Sequence, residues 1–161
     1  MRRIIFLLGL VALFGVFALQ AAAATTTVSV SMTFTEPILQ DVTHGCPVLP
    51  GGGGFCGSGI VLPFGHATET IQFGGACGGS CDFRTVNVAG GSIYLDEFFS
   101  DGICRGACHP NPAEPFLGIL TDVIVGGTGI FTDASGNVSG TVKAAGPQSL
   151  IQLSGSITLT S

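Results

Sequence analysis

Three features of the chain predict an all-β fold, an antiparallel barrel of about eight strands. Residues 25–36 (TTTVSVSMTFTE) alternate polar and apolar side chains without a break. Seven further β-like segments follow, divided by Gly-Gly, Gly-Gly-Ser, Asp-Gly, Gly-Gly-Thr-Gly and Ala-Ser-Gly-Asn, which are turn chemistry. No apolar period of 3.6 residues persists beyond residue 24, so no substantial helix is expected there. A β-sandwich is the alternative packing of the same strands. Closure into a barrel is favoured because it removes the exposed edges.

The 161 residues suit a single domain. With 46 % apolar and 9 % charged residues the chain is not of the disordered class, and 26 glycines without a period of three exclude collagen. Five basic against ten acidic residues leave no basic face for nucleic acid.

The first element is an export signal. Arg2 and Arg3 precede an apolar run, Ile4 to Leu19, followed by Gln20 and the small residues Ala21–Ala24. The run is shorter than the roughly 20 residues that span a bilayer, and the alanines suit a signal peptidase. Residues 1–24 are therefore read as a signal peptide and 25–161 as one disulfide-stapled domain, with an uncleaved anchor as the alternative. General export is favoured over a twin-arginine route. The mature chain would keep three basic and ten acidic groups, a charge of −7. No later run is long enough for a membrane helix, and a secreted, periplasmic or cell-surface location is expected.

In the first mature segment Val28, Val30, Met32 and Phe34 share one face and Ser29, Ser31, Thr33 and Thr35 the other, the period of a half-buried strand. Pro37, Pro47, Pro50 and Gly51–Gly54 predict a long loop over 37–58. The remaining strands are read at 59–64, 67–73, 84–88, 92–99, 116–125, 136–144 and 150–159. A lipid-facing outer-membrane barrel is disfavoured by a single Tyr, no Trp and a C-terminus without an aromatic residue.

All six cysteines lie in the predicted mature part, and an even count in an exported chain reads as disulfides. They fall in three local pairs: Cys46 with Cys56, Cys77 with Cys81, and Cys104 with Cys108. Such short loops remove little chain entropy, about 2–3 kcal/mol each, so the bridges would pin loops more than hold the core. The competing reading is zinc, with Cys104, Cys108 and His109 as a C-x3-C-H cluster and His44 close to Cys46.

The segment Ile124-Val125-Gly126-Gly127-Thr128-Gly129-Ile130-Phe131, with Asp133-Ala134-Ser135-Gly136 and the closing Leu153–Leu159, resembles the GGTG-x-F-x-x-A-x-G signature of the allene oxide cyclase and dirigent barrel superfamily. It is also similar to small exported bacterial proteins of no established role. The resemblance covers about residues 116–161. It implies an eight-stranded barrel whose interior holds a small apolar molecule, and it places no active-site residue of that superfamily on this chain. Its glycines supply the positive φ of a tight turn, and strands rather than a helix follow, which argues against a phosphate loop.

Charged residues on apolar faces are the candidate site. Glu97 shares its face with Ile93, Leu95 and Phe99, Glu69 with Ala67, Ile71 and Phe73, and Glu36 follows the apolar face of the first strand. Tyr94 and Phe98 share the opposite face with Asp96. If the apolar faces point inward, a barrel interior holds several carboxylates answered by Arg84, while the plainer reading leaves them solvated at strand ends. Glu97 and Glu69 are the candidate catalytic residues, and Glu69, Arg84, Tyr94 and Glu97 the candidate ligand contacts. His44, His66 and His109 read as loop histidines. Gly57-Ser58-Gly59 is no nucleophile elbow, and paired cysteines offer no nucleophile. Asn137-Val138-Ser139 is a glycosylation sequon, relevant only in a eukaryotic source.

The leading expectation is a non-enzymatic exported barrel that binds a small apolar or amphipathic ligand or acts at a cell surface. A cyclase- or isomerase-type enzyme with an interior carboxylate is the alternative, and an interaction module built on the Cys- and Gly-rich loops is a third. No cofactor is expected, nor a nucleic-acid partner, and a protein partner is not specified by the sequence. The mature protein should begin at Thr25 with an intact mass lower by about six hydrogens than its reduced form, read by mass spectrometry. Free thiols with a bound metal would instead establish the zinc reading.

Overall fold

The structure is a computed structural model and describes residues 23–37, 54–104, 116–145 and 147–160. Eight antiparallel strands close into one barrel in chain order: β1 Thr25–Pro37, β2 Gly54–Leu62, β3 Gly65–Ala76, β4 Cys81–Val88, β5 Gly91–Cys104, β6 Phe116–Gly127, β7 Ser135–Ala145 and β8 Gln148–Thr160. The seam is made by β1 and β8, which pair from Thr25↔Thr160 to Pro37↔Gln148. The predicted barrel is thus the observed fold, and the sandwich is not formed. Among the described residues the only helical pieces are two 3-10 turns, Cys77–Gly79 and Gly129–Phe131. None of the described helices is long and apolar enough to cross a membrane. The expected signal segment lies almost wholly outside the described residues.

Several strand limits differ from the sequence reading, β3 running from Gly65 to Ala76 rather than 67–73 and β4 starting at Cys81 rather than 84. β2 begins at Gly54, inside the expected loop, because Gly54 to Ser58 find ladder partners in β3, from Gly54↔Gln72 to Ser58↔Thr68. It ends at Leu62, leaving Pro63 and Phe64 in the turn. β5 runs on to Cys104, past the expected end near Phe99, because β6 continues to pair with it as far as Cys104↔Phe116. Phe73, two residues past Ile71, is exposed with its ring edge-on to that of Phe55 at 5.1 Å, and the register shifts between Gln72 and Ala76.

The barrel has two unlike ends. At one, short turns at 63–64, 89–90 and 128–134 join the strands. Here the Gly-Gly-Thr-Gly segment makes a close backbone crossing. Gly91 (φ +146) lies against Thr128, so an added Cβ would stand 2.1 Å from the Thr128 carbonyl oxygen, and the Thr128 amide donates to the Ser92 carbonyl. Phe131 turns inward from this segment and caps the core, edge-on to Phe64 at 5.0 Å. Above it pack Val30, Met32 and Phe34 of β1, Val61, Val86, Ile93, Leu95, Leu120, Ile124, Val138, Ile151, Leu153 and Ile157. An eight-stranded barrel is just wide enough for such side chains to fill it.

The other end carries the 77–80 turn and the four described cysteines, Cys56, Cys77, Cys81 and Cys104. Cys77 and Cys81 are disulfide-bonded as expected, with Cα atoms 5.4 Å apart. Cys56 is also disulfide-bonded. The expected pairings with Cys46 and of Cys104 with Cys108 lie outside the described side chains, as does the zinc alternative at Cys104, Cys108 and His109.

On the outside, β7, β8 and β1 present aligned rows of neutral polar groups: Ser135, Thr158 and Thr27; Asn137, Ser156 and Ser29; Ser139, Ser154 and Ser31; Thr141, Gln152 and Thr33. That face has no apolar band of the kind lipid requires. The core, by contrast, is apolar and dry at the Phe131 end. Phe131→Ala should therefore cost about 3–5 kcal/mol of unfolding free energy, read as a lowered urea midpoint at constant slope.

Candidate functional site

Strand parity brings five ionisable side chains from five strands into one layer of the interior. Glu36 is the last inward residue of β1, continuing Val30, Met32 and Phe34. Glu69 follows Ala67 on β3, Arg84 precedes Val86 on β4, Glu97 follows Leu95 on β5, and Asp122 stands between Leu120 and Ile124 on β6. All five are buried, Asp122 fully so. β2 contributes Gly57 to this layer and β8 contributes Ser149, the partner of Glu36 in the β1–β8 register. No charged side chain from β2, β7 or β8 joins them, since Lys143 points outward.

Gly57 is what lets two acids meet. A Cβ there would stand 2.9 Å from Glu36 Cγ, Glu69 Oε1 and the Thr35 carbonyl oxygen, so the missing side chain is the space the carboxyls occupy.

Arg84 is the hub. Its Nε donates to Glu97 Oε2 at 2.8 Å, Nη2 donates to the same oxygen, and Nη1 donates to Glu69 Oε2. Nε also lies 3.5 Å from Asp122 Oδ2, an ion-pair separation too long for a hydrogen bond. Burial alone would lower the guanidinium's pKa, but Glu69, Glu97, Asp122 and Glu36 together drive it above the ordinary arginine value.

Four acids surround one base, and the excess shows in their titration. Burial first, then the neighbouring Glu69, pushes Glu36 up to about 8. Burial likewise pushes Asp122 up to about 8, with Arg84 opposing and Glu97 and Glu69 adding to the rise. Glu69 is raised by burial although Arg84 pulls it back. Four buried carboxyl oxygens have no donor: Glu36 Oε1, Glu69 Oε1 and both oxygens of Asp122. Glu36 and Glu69 lie within hydrogen-bonding reach of one another. Carboxylates only accept, so a proton carried by Glu36 and donated to Glu69 satisfies that contact.

Phe99 is the next inward position of β5 after Glu97, yet it is 50 % exposed. Its ring lies over Gly118, whose Cβ would stand 2.4 Å from it, and beside Val142.

The sequence-derived candidates are divided by the structure. Glu69, Arg84 and Glu97 come together, with Glu36 beside them. Tyr94 is placed on the outer face, its ring 5.7 Å from that of Phe83, away from the cluster. His66 is exposed at the start of β3; His44 and His109 lie outside the described residues. Asp122 was not singled out by sequence, although Leu120-x-Asp122-x-Ile124 carries the same parity signal as Glu97. Among the described residues the one grouping with metal-ligand proximity is Cys77, Cys81 and Asp96, whose two sulfurs are bonded to each other.

No family model, no curated protein and no solved structure matches this chain.

The raised acids fix the sign of a pH effect. The folded protein keeps protons on Glu36 and Asp122 up to about pH 8, whereas the unfolded chain loses them near 4.5 and 3.8. Their contribution to stability is complete below pH 4 and is lost as pH rises through 8. The melting temperature should fall between about pH 4.5 and 8 from this term. Asp122→Asn, which fixes a neutral group there, should flatten part of the fall and melt higher than the parent at pH 9, measured by thermal scans in matched buffers.

Proposed function

We propose that the protein is an exported, non-enzymatic barrel that receives a small amphipathic ligand at the interior charged layer, below Phe99. The observation that carries this reading is Asp122, fully buried with no donor to either carboxyl oxygen, in the layer below the half-exposed Phe99. Buried polar groups in a core built only for stability are paired. Groups left ready to bond mark a site. The apolar half beneath is filled by its own side chains, so the apolar part of a ligand would lie against Phe99 and Val142.

The disulfide-bonded cysteines support an oxidising compartment, and with the signal-like residues 1–24 they support export. The likeness of residues 116–161 to the allene oxide cyclase and dirigent barrels supports a ligand-holding barrel in the same sense.

A second reading, an acid–base enzyme of the cyclase or isomerase kind, is favoured by one observation. Glu36 and Asp122 titrate near 8, where acid and conjugate base coexist at working pH. Here Asp122 and the Glu36–Glu69 pair, rather than Glu97, are the groups poised to exchange a proton, since Glu97 is committed to Arg84.

Native mass spectrometry of protein purified from an exporting host tests both. The binding reading expects a retained small molecule whose amount falls in Asp122→Asn. The enzyme reading expects that molecule, once extracted and returned, to be converted by the parent and not by Asp122→Asn. A parent that retains no molecule, from either the host or an added amphiphile library, overturns the proposal.

A further inference from the structure

The chemistry of the layer restricts what its ligand is. Resting on the binding reading above, we propose that the ligand is an organic cation, an amphipathic amine whose ammonium is received by Asp122, both of whose buried carboxyl oxygens lack a donor.

The argument is one of charge and donors. The layer holds Glu36, Glu69, Glu97 and Asp122 against Arg84 alone, and neither oxygen of Asp122 has a hydrogen-bond donor. An ammonium brings one positive charge and three N–H donors, the two things missing. An anionic head group fits badly: all three nitrogens of Arg84 already donate to Glu69 or Glu97, so a ligand carboxylate or phosphate would have to displace a protein carboxylate. A bare metal ion fits badly too. No three oxygens of these four acids lie within 4.8 Å of one another, as they would around a metal centre. They surround a guanidinium instead.

One further feature agrees. The whole chain carries −5, which draws cations toward it. In the empty site protons stand in for the missing charge, and Asp122 and Glu36 are where they sit. Binding of an ammonium is therefore an exchange, in which the acid proton leaves to buffer and the carboxylate pairs with nitrogen.

Titration calorimetry with n-octylammonium, n-octanol and n-octanoate tests this, in two buffers of different ionisation heat. The expected result is octylammonium binding at least about tenfold tighter than the other two. At pH 7 it should release about one proton per molecule, and at pH 9.5 almost none, because both acids titrate near 8. The double variant Glu36→Gln, Asp122→Asn, melting no lower than the parent, should lose at least about tenfold in that affinity. If it does not fold, Asp122→Asn alone takes its place. Equal or stronger binding of octanol or octanoate overturns the cation inference while leaving the amphiphile reading in force. Binding of octylammonium without proton release at pH 7, or undiminished in the variant, also overturns the inference. If none of the three binds, the inference and the reading it rests on both fail.

Discussion

One guanidinium held among four carboxyl groups in the closed interior of an eight-stranded barrel is the constraint around which this structure is arranged. At an effective dielectric constant near 20, a charge pair 4 Å apart is worth about 4 kcal/mol, while desolvating each ion costs several. Arg84 can therefore hold Glu97 and Glu69 as close partners, but it cannot also compensate Glu36 and Asp122 in full. The remaining acids must be protonated or matched by something from outside. Removing Arg84 would leave like charges facing one another with no counter-ion, which is why the whole layer depends on this single side chain.

The rest of the barrel serves that arrangement. Five strands in register are needed to deliver five ionisable groups to one level, and a closed sheet is what makes their inward positions converge. Gly57 gives up its side chain so that Glu36 and Glu69 can approach. The core from Phe34 down to Phe131 is dry, which keeps water from screening the cluster from below. At the opposite end lie the four described cysteines. The Cys77–Cys81 bridge closes a hairpin whose residues Cys77, Gly78 and Gly79 all take positive φ. Its stabilising effect through a four-residue loop is small, so its use is to hold the rim of the barrel in shape.

Much of this was legible in the sequence, because period-two alternation decides both that a segment is a strand and which of its residues face in. That rule places Glu36, Glu69 and Glu97 inside and so implies that Arg84 must meet them. Asp122 carries the same signal and was passed over because its strand reads as a nearly continuous apolar run, in which one acid looks like an outward residue. The start of β2 was illegible for a different reason: glycines have no side chain to show a period, and only the neighbouring strand's ladder reveals Gly54 to Ser58 as paired. Convergence itself cannot be read locally. Nothing in the spacing of residues 36, 69, 84, 97 and 122 says that they share a height in the barrel until the pairing registers are known.

The distribution of charge says most about what the interior is for. Of nine charged side chains whose burial is described, Glu36, Glu69, Arg84, Glu97 and Asp122 are inside, and only Asp82, Asp96, Asp133 and Lys143 are outside. Ordinary proteins do the reverse, since charges keep a surface soluble and cost free energy when buried. A barrel of this size would be as stable, or more so, with apolar residues in that layer, because a buried ion cluster seldom outperforms well-packed hydrophobic side chains. The hydroxyl and amide rows make the outside of β7, β8 and β1 wettable without charge, whereas Ile119, Val123 and Val125 of β6 and Ile60 and Leu62 of β2 are exposed. The interior acids are thus not needed for solubility and are a burden on stability, which leaves their chemistry as the physical reason for holding them there.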